Sequence, residues 1–108
     1  MYPIVILPVA RQDVKEAALW YESKKTGLGK RFTLHVRQKL NVLKKNPHLF
    51  ANRYDEMRTA VFDVFPFMAH FYVDEQAEIV IITAVLHTSR NPDIWKTSRD
   101  LEEDVDDL

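Results

Sequence analysis

The chain contains no cysteine. Disulfides and thiolate metal sites are thereby excluded. Glycine is almost as scarce: only Gly27 and Gly29 occur, which leaves little room for a glycine-rich phosphate loop. Long apolar runs are also missing. The stretch Ile4 to Val9 is interrupted by Pro8 and has no basic residue before it. It is too short and wrongly flanked for a signal peptide or a membrane span. The four histidines, His35, His48, His70 and His87, have no paired ligand nearby in sequence, so no metal motif is present and no cofactor is expected. There is no internal repeat and no low-complexity linker.

What is present fits one small domain. The 108 residues are 46% hydrophobic and 29% charged, ordinary for a soluble protein of cytoplasmic type. The formal net charge of -1 hides an asymmetry. Residues 100–108 carry six acids and no base. Taking those six from 16 acids leaves 10 against 15 bases, so residues 1–99 carry +5. Residues 23–54 alone hold nine Lys or Arg and no acid. The expectation is one domain over residues 1–99 and a flexible acidic tail over 100–108.

Ile79 to Leu86 is the most apolar stretch, free of charge and rich in β-branched residues. That composition predicts a central strand. Strict alternation would put Ile79, Ile81 and Val85 on one side and Val80, Ile82, Ala84 and Leu86 on the other. Ile4 to Leu7 predicts a short buried strand between two prolines. Val14, Ala17, Ala18 and Tyr21 form a helical stripe within about Arg11 to Lys24, with Asp13 in the first turn. A second helix is expected over about Leu28 to Lys45, with Phe32, Val36, Leu40 and Leu43 on its apolar side. Lys30, Arg31, Arg37, Lys44 and Lys45 fall on the other side. Asn46-Pro47 stops it. His48 to Glu56 reads as a loop, and Met57 to Asp63 and Phe67 to Val73 as strands. After the central strand, Asn91 and Pro92 start a short helix anchored by Ile94 and Trp95. The order is β-α-α-β-β-β, an α+β fold with an antiparallel sheet packed on an αα-hairpin, plus a short C-terminal helix. One sheet face is left apolar with little in the chain to cover it, which points to a partner.

These elements, in this order, resemble the RelE/ParE superfamily of type II toxin-antitoxin toxins, nearer its ParE-like branch. The resemblance spans residues 3–99. It rests on Trp20-Tyr21, Gly27-Leu28-Gly29-Lys30-Arg31-Phe32, Asn46-Pro47, Arg58-Thr59-Ala60-Val61-Phe62, Phe65-Pro66-Phe67 and the run from Ala84 to Trp95. The resemblance implies a growth-arresting bacterial toxin of the plasmid-stabilisation type, silenced by a cognate antitoxin. It implies one of two targets. ParE-like toxins poison DNA gyrase; RelE-like toxins cut mRNA on the ribosome without a metal.

RNA cleavage needs a base, an acid and a cation at one phosphate. Arg58 and Arg90 are the phosphate-binding candidates, and His87 and His70 the proton-transfer candidates. His70, Trp95 and the basic helix residues are candidates for target contact. Blander roles compete with each of these. His87 can simply end a strand, and His70 can be structural. Arg58 can pair with Asp63 or the acidic tail. A basic helix face is most often only solvated. Trp95 stands where a RelE-like enzyme carries a proton-transferring residue, which favours gyrase over mRNA. The competing classes are a ribosome-dependent mRNA endoribonuclease and a non-enzymatic module that binds nucleic acid or antitoxin.

Overall fold

The computed structural model describes residues 1–89. The elements are β1 (Ile4–Ile6), α1 (Pro8–Lys24), α2 (Leu28–Lys45), a 3₁₀ turn (Pro47–Leu49), β2 (Asn52–Tyr54), β3 (Met57–Val61), β4 (Phe67–Asp74) and β5 (Ile79–His87). The strands form one sheet in the order β1-β5-β4-β3-β2. β1 runs parallel to β5 and the other neighbours are antiparallel. The expected α+β architecture is present, with the apolar strand β5 inside the sheet between β1 and β4. The expected C-terminal helix and tail, with Arg90 and Trp95, lie outside the described residues.

Pro8 opens α1, because its fixed φ suits the first helical position and its missing N–H is not needed there. The helix therefore begins before Arg11, and Asp13 lies beyond the first turn rather than in it. Gly27 sits at φ +88°, in the left-handed region that favours glycine, and turns the chain into α2. Glu22 reaches over this turn. Its carboxylate accepts the N–H of Gly27 at 3.0 Å and of Gly29 at 3.1 Å. Free donors at the start of α2 are thus satisfied by a negative charge, as the helix dipole prefers. The bond from Gly27, then that from Gly29, hold the Glu22 carboxyl below its ordinary pKa.

Gly29 does different work. A Cβ at this position would stand 2.6 Å from the carbonyl oxygen of Ala18. The two helices meet there backbone to backbone. Their shared inner side packs on the sheet through Ala17, Phe32, Val36 and Leu43, all buried. Phe32 also meets Phe65 and Phe67 edge-on, with ring centroids 5.2 Å apart in each pair. Tyr21 joins this group, and its burial raises the phenol's pKa.

Several expectations are corrected. First, His48 to Glu56 is not all loop. Asn52–Tyr54 pairs with β3 as β2, a polar strand whose composition hides it. The strand at Ile4–Ile6 is likewise an edge strand with Val5 43% exposed, not a buried one.

Second, β5 does not alternate strictly. Phe71 pairs with Ile82 and His70 with Ala84, so Thr83 is an extra residue, a β-bulge. Its hydroxyl donates to the His70 carbonyl at 3.2 Å. Val80, Ile82 and Val85 therefore share the hairpin side, while Ala84 and Leu86 share the far side with Met68.

Third, the far face of the sheet is buried in part, while Val61, opposite Met68 on that face, is 51% exposed. Met68, His70, Ala84 and Leu86 are each at most 9% exposed, and Tyr54 packs against this cluster. Exposed apolar side chains include Leu19 (63%) and Leu34 (52%) on the hairpin, and Leu49 and Val64 elsewhere.

Candidate functional site

Successive residues of α1 spaced three and four apart face α2 across an open groove of about 900 Å³. Its floor is apolar: Val14 and Ala18 from α1 meet Val36 and Leu40 from α2. Leu19 and Leu34 stand on its lips. Its rim is basic. Arg11 and Lys15 come from α1, Lys30 and Arg37 from α2, and all four are exposed. Among the described residues none of the four forms an ion pair. Glu22 is the acid of the lining, and its carboxylate already serves the amides of Gly27 and Gly29. An apolar channel between rows of exposed cations suits an amphipathic acidic segment.

The basic residues expected on α2 divide into two rows. Lys30 and Arg37, seven residues apart, line the groove. Arg31 and Lys45 are exposed outside it. Lys44 is half-buried, and its carbonyl accepts the Tyr2 N–H at 2.8 Å. Sequence reasoning missed Arg11 and Lys15. Their spacing of four residues, flanking the Val14 and Ala18 stripe, was the available signal.

The strand candidates do not form one centre. The Arg58 guanidinium donates through Nη1 to the Phe50 carbonyl at 2.6 Å. It ties the segment before β2 to β3; Asp63, the expected partner, instead pairs with Lys39 at 3.2 Å. His70 is fully buried, with Nδ1 3.1 Å from the Tyr54 hydroxyl. It supports the sheet from within, and the expectation that it touches a target does not fit that position.

His87 ends β5 half-exposed, its ring edge-on to Phe67 with centroids 5.3 Å apart. The backbone N–H of Ser89 donates to its Nδ1 at 3.0 Å, and the Ser89 hydroxyl lies 2.8 Å from the same atom. A backbone N–H is always a donor, so Nδ1 carries the lone pair and the neutral ring holds its proton on Nε2. In that tautomer Nδ1 is engaged by Ser89 and Nε2 carries the N–H.

Register fixes how far apart these groups are. Arg58 pairs with Phe71 and His87 with Phe67, on opposite sides of β4. Four residues along a strand and two strand spacings put their backbones roughly 16 Å apart. His70 also points to the other sheet face, with Tyr54. Among the described residues no group of His, Asp and Glu is placed to hold a metal ion.

Comparison with known proteins bears on what such a molecule is. Residues 4–92 match the family described as ParE toxin of type II toxin-antitoxin system, parDE. The chain belongs to this family. No curated protein matches it at a significant level. Among solved structures, the chromosomal ParDE system of P. aeruginosa is similar with a TM-score of 0.67 at 16% identity, covering 82% of this chain and 98% of that one. The isolated E. coli RelE toxin is similar with a TM-score of 0.59 at 13% identity, covering 94% and 99%. The RelBE2 toxin-antitoxin complex of Mycobacterium tuberculosis gives 0.57 at 13%, covering 80% and 96%. At these identities the structures share the fold. The family match identifies the toxin component of a type II toxin-antitoxin system. No helix among the described residues is long and apolar enough to cross a membrane.

Proposed function

We propose that this ParE toxin arrests growth by binding and inhibiting DNA gyrase, without cutting RNA, and that a cognate antitoxin covers the groove between α1 and α2. The observation that carries the target reading is the dispersal of Arg58, His70 and His87. Metal-free cleavage of RNA requires its acid, base and cation within reach of one phosphate. Arg58 donates to the Phe50 carbonyl, His70 is buried and His87 has Nδ1 engaged by Ser89. The antitoxin reading is supported by the exposed leucines on the groove's lips and its four cations. An antitoxin segment that is acidic and amphipathic matches both features.

Inducible expression with separate readouts of DNA damage and translation tests the target. The DNA-damage response is expected to rise before protein synthesis falls, and His87→Ala is expected to remain toxic. New 3′ ends in ribosome-bound mRNA that disappear in His87→Ala would overturn the proposal in favour of a ribosome-dependent nuclease.

A further inference from the structure

We propose that the groove between α1 and α2 also binds the chain's own C-terminal segment, residues 100–108, so that the free toxin occupies its own docking surface. The sequence of this segment fits the groove twice over. It carries Asp100, Glu102, Glu103, Asp104, Asp106 and Asp107 with no base. Interleaved with them, Leu101, Val105 and Leu108 follow the spacing i, i+4, i+7. At helical periodicity those three residues share one side and the acids take the rest. That pattern complements a channel with an apolar floor and Arg11, Lys15, Lys30 and Arg37 along its rim.

Tethering makes a weak contact sufficient. Ser89, the last described residue, follows β5, whose Val85 amide is bonded to Asp13 of α1 at 3.0 Å. The chain therefore leaves the sheet beside the hairpin. Residues 90–99 can span about 33 Å when extended, more than the 21 Å thickness of the molecule. A short tether holds its ligand at an effective concentration of order mM. A segment with only mM affinity in isolation is then substantially docked. An antitoxin using this groove has to displace the tail, and so binds more weakly than the groove alone allows. The contact itself depends on the groove's chemistry and not on which target the toxin attacks.

The absence of native cysteine allows a single nitroxide label at Asp107→Cys in the full-length chain. The amide signals of Leu19, Lys30 and Leu34 are expected to lose most of their intensity through paramagnetic relaxation. They should recover near 1 M salt, where the screening length falls to about 3 Å. They should also recover in a Lys30→Glu, Arg37→Glu double variant. A Leu101→Ser, Val105→Ser, Leu108→Ser variant, checked for an unchanged melting temperature, should also release the tail. No broadening at the groove, or broadening confined to the far sheet face, would overturn the proposal. So would broadening seen only between a labelled chain and a separate isotopically marked one, which would make the occupant a second copy.

Discussion

The carboxylate of Asp13 on α1 accepts the backbone N–H of Val85 on β5 at 3.0 Å. The bond exists because β1 is short. It pairs with β5 only at Val80, Ile81 and Ile82, and the chain then turns into α1 at Pro8. Beyond Ile82 the inner strand has an open side, and a helix carboxylate takes the place of the missing strand. Asp13→Ala leaves the Val85 amide without this acceptor, at an expected cost of about 1–3 kcal/mol. Asp13→Asn retains an oxygen acceptor for this amide and should lose less stability than Asp13→Ala. Urea unfolding reads the difference, and amide exchange at Val85 should accelerate in the alanine variant alone.

Gly29→Ala sets two effects against each other. Alanine improves helix propensity by about 1 kcal/mol over glycine. Its Cβ, however, would stand 2.6 Å from the Ala18 carbonyl oxygen, a backbone atom with little room to yield. Overpacking of this kind costs about 1–3 kcal/mol, so net destabilisation is expected. Gly27→Ala has open space around its Cβ but a φ of +88°, and should lose about 1–2 kcal/mol from strain alone. Equal or raised melting temperatures in both variants would contradict this account of the turn.

Glu22 predicts a pH dependence of definite sign. Its folded pKa is depressed by the amides of Gly27 and Gly29. A depressed carboxylate contributes stability above its unfolded pKa and loses it as pH falls through its folded pKa. The stability gap between the native chain and Glu22→Gln is therefore expected to be widest at neutral pH and to close through the acid range. A gap independent of pH would show that the glutamate acts through packing and not through charge.

Tyr54→Phe removes the hydroxyl that meets His70 Nδ1 at 3.1 Å and keeps the ring against Met68, Ala84 and Leu86. The expected loss is about 1 kcal/mol, measured by chemical denaturation, with toxicity unchanged when corrected for folded protein. Lost toxicity in a fully folded variant would give this pair a role in target recognition.

The helices and the inner strand were legible because their apolar residues follow the periods that burial imposes. Phe32, Val36 and Leu43 announce α2, and Ile79 to Ile82 announce β5. What escaped was set by contacts distant in sequence. β2 consists of Asn52, Arg53 and Tyr54, and only pairing with β3 makes it a strand. The Thr83 bulge leaves composition unchanged while reversing which face Val85 occupies. The groove's second basic row, Arg11 and Lys15, showed in its spacing, but α1 and α2 read separately do not reveal which sides they present to each other. The Gly27-Leu28-Gly29 signature was recognisable as a pattern, and its physical content is structural: a left-handed turn and a close helix approach.

Because the helices are locked where Gly29 meets the Ala18 backbone, the width of the groove does not depend on the side chains along its lips. Leu19, Lys30, Leu34 and Arg37 can be exchanged by mutation without resetting the scaffold that carries them. With the antitoxin docked there as proposed, partner choice is free to drift while the fold stays constant. Duplicated copies of such a toxin in one genome would then diverge into pairs that ignore each other's antitoxins through substitutions at the proposed groove alone.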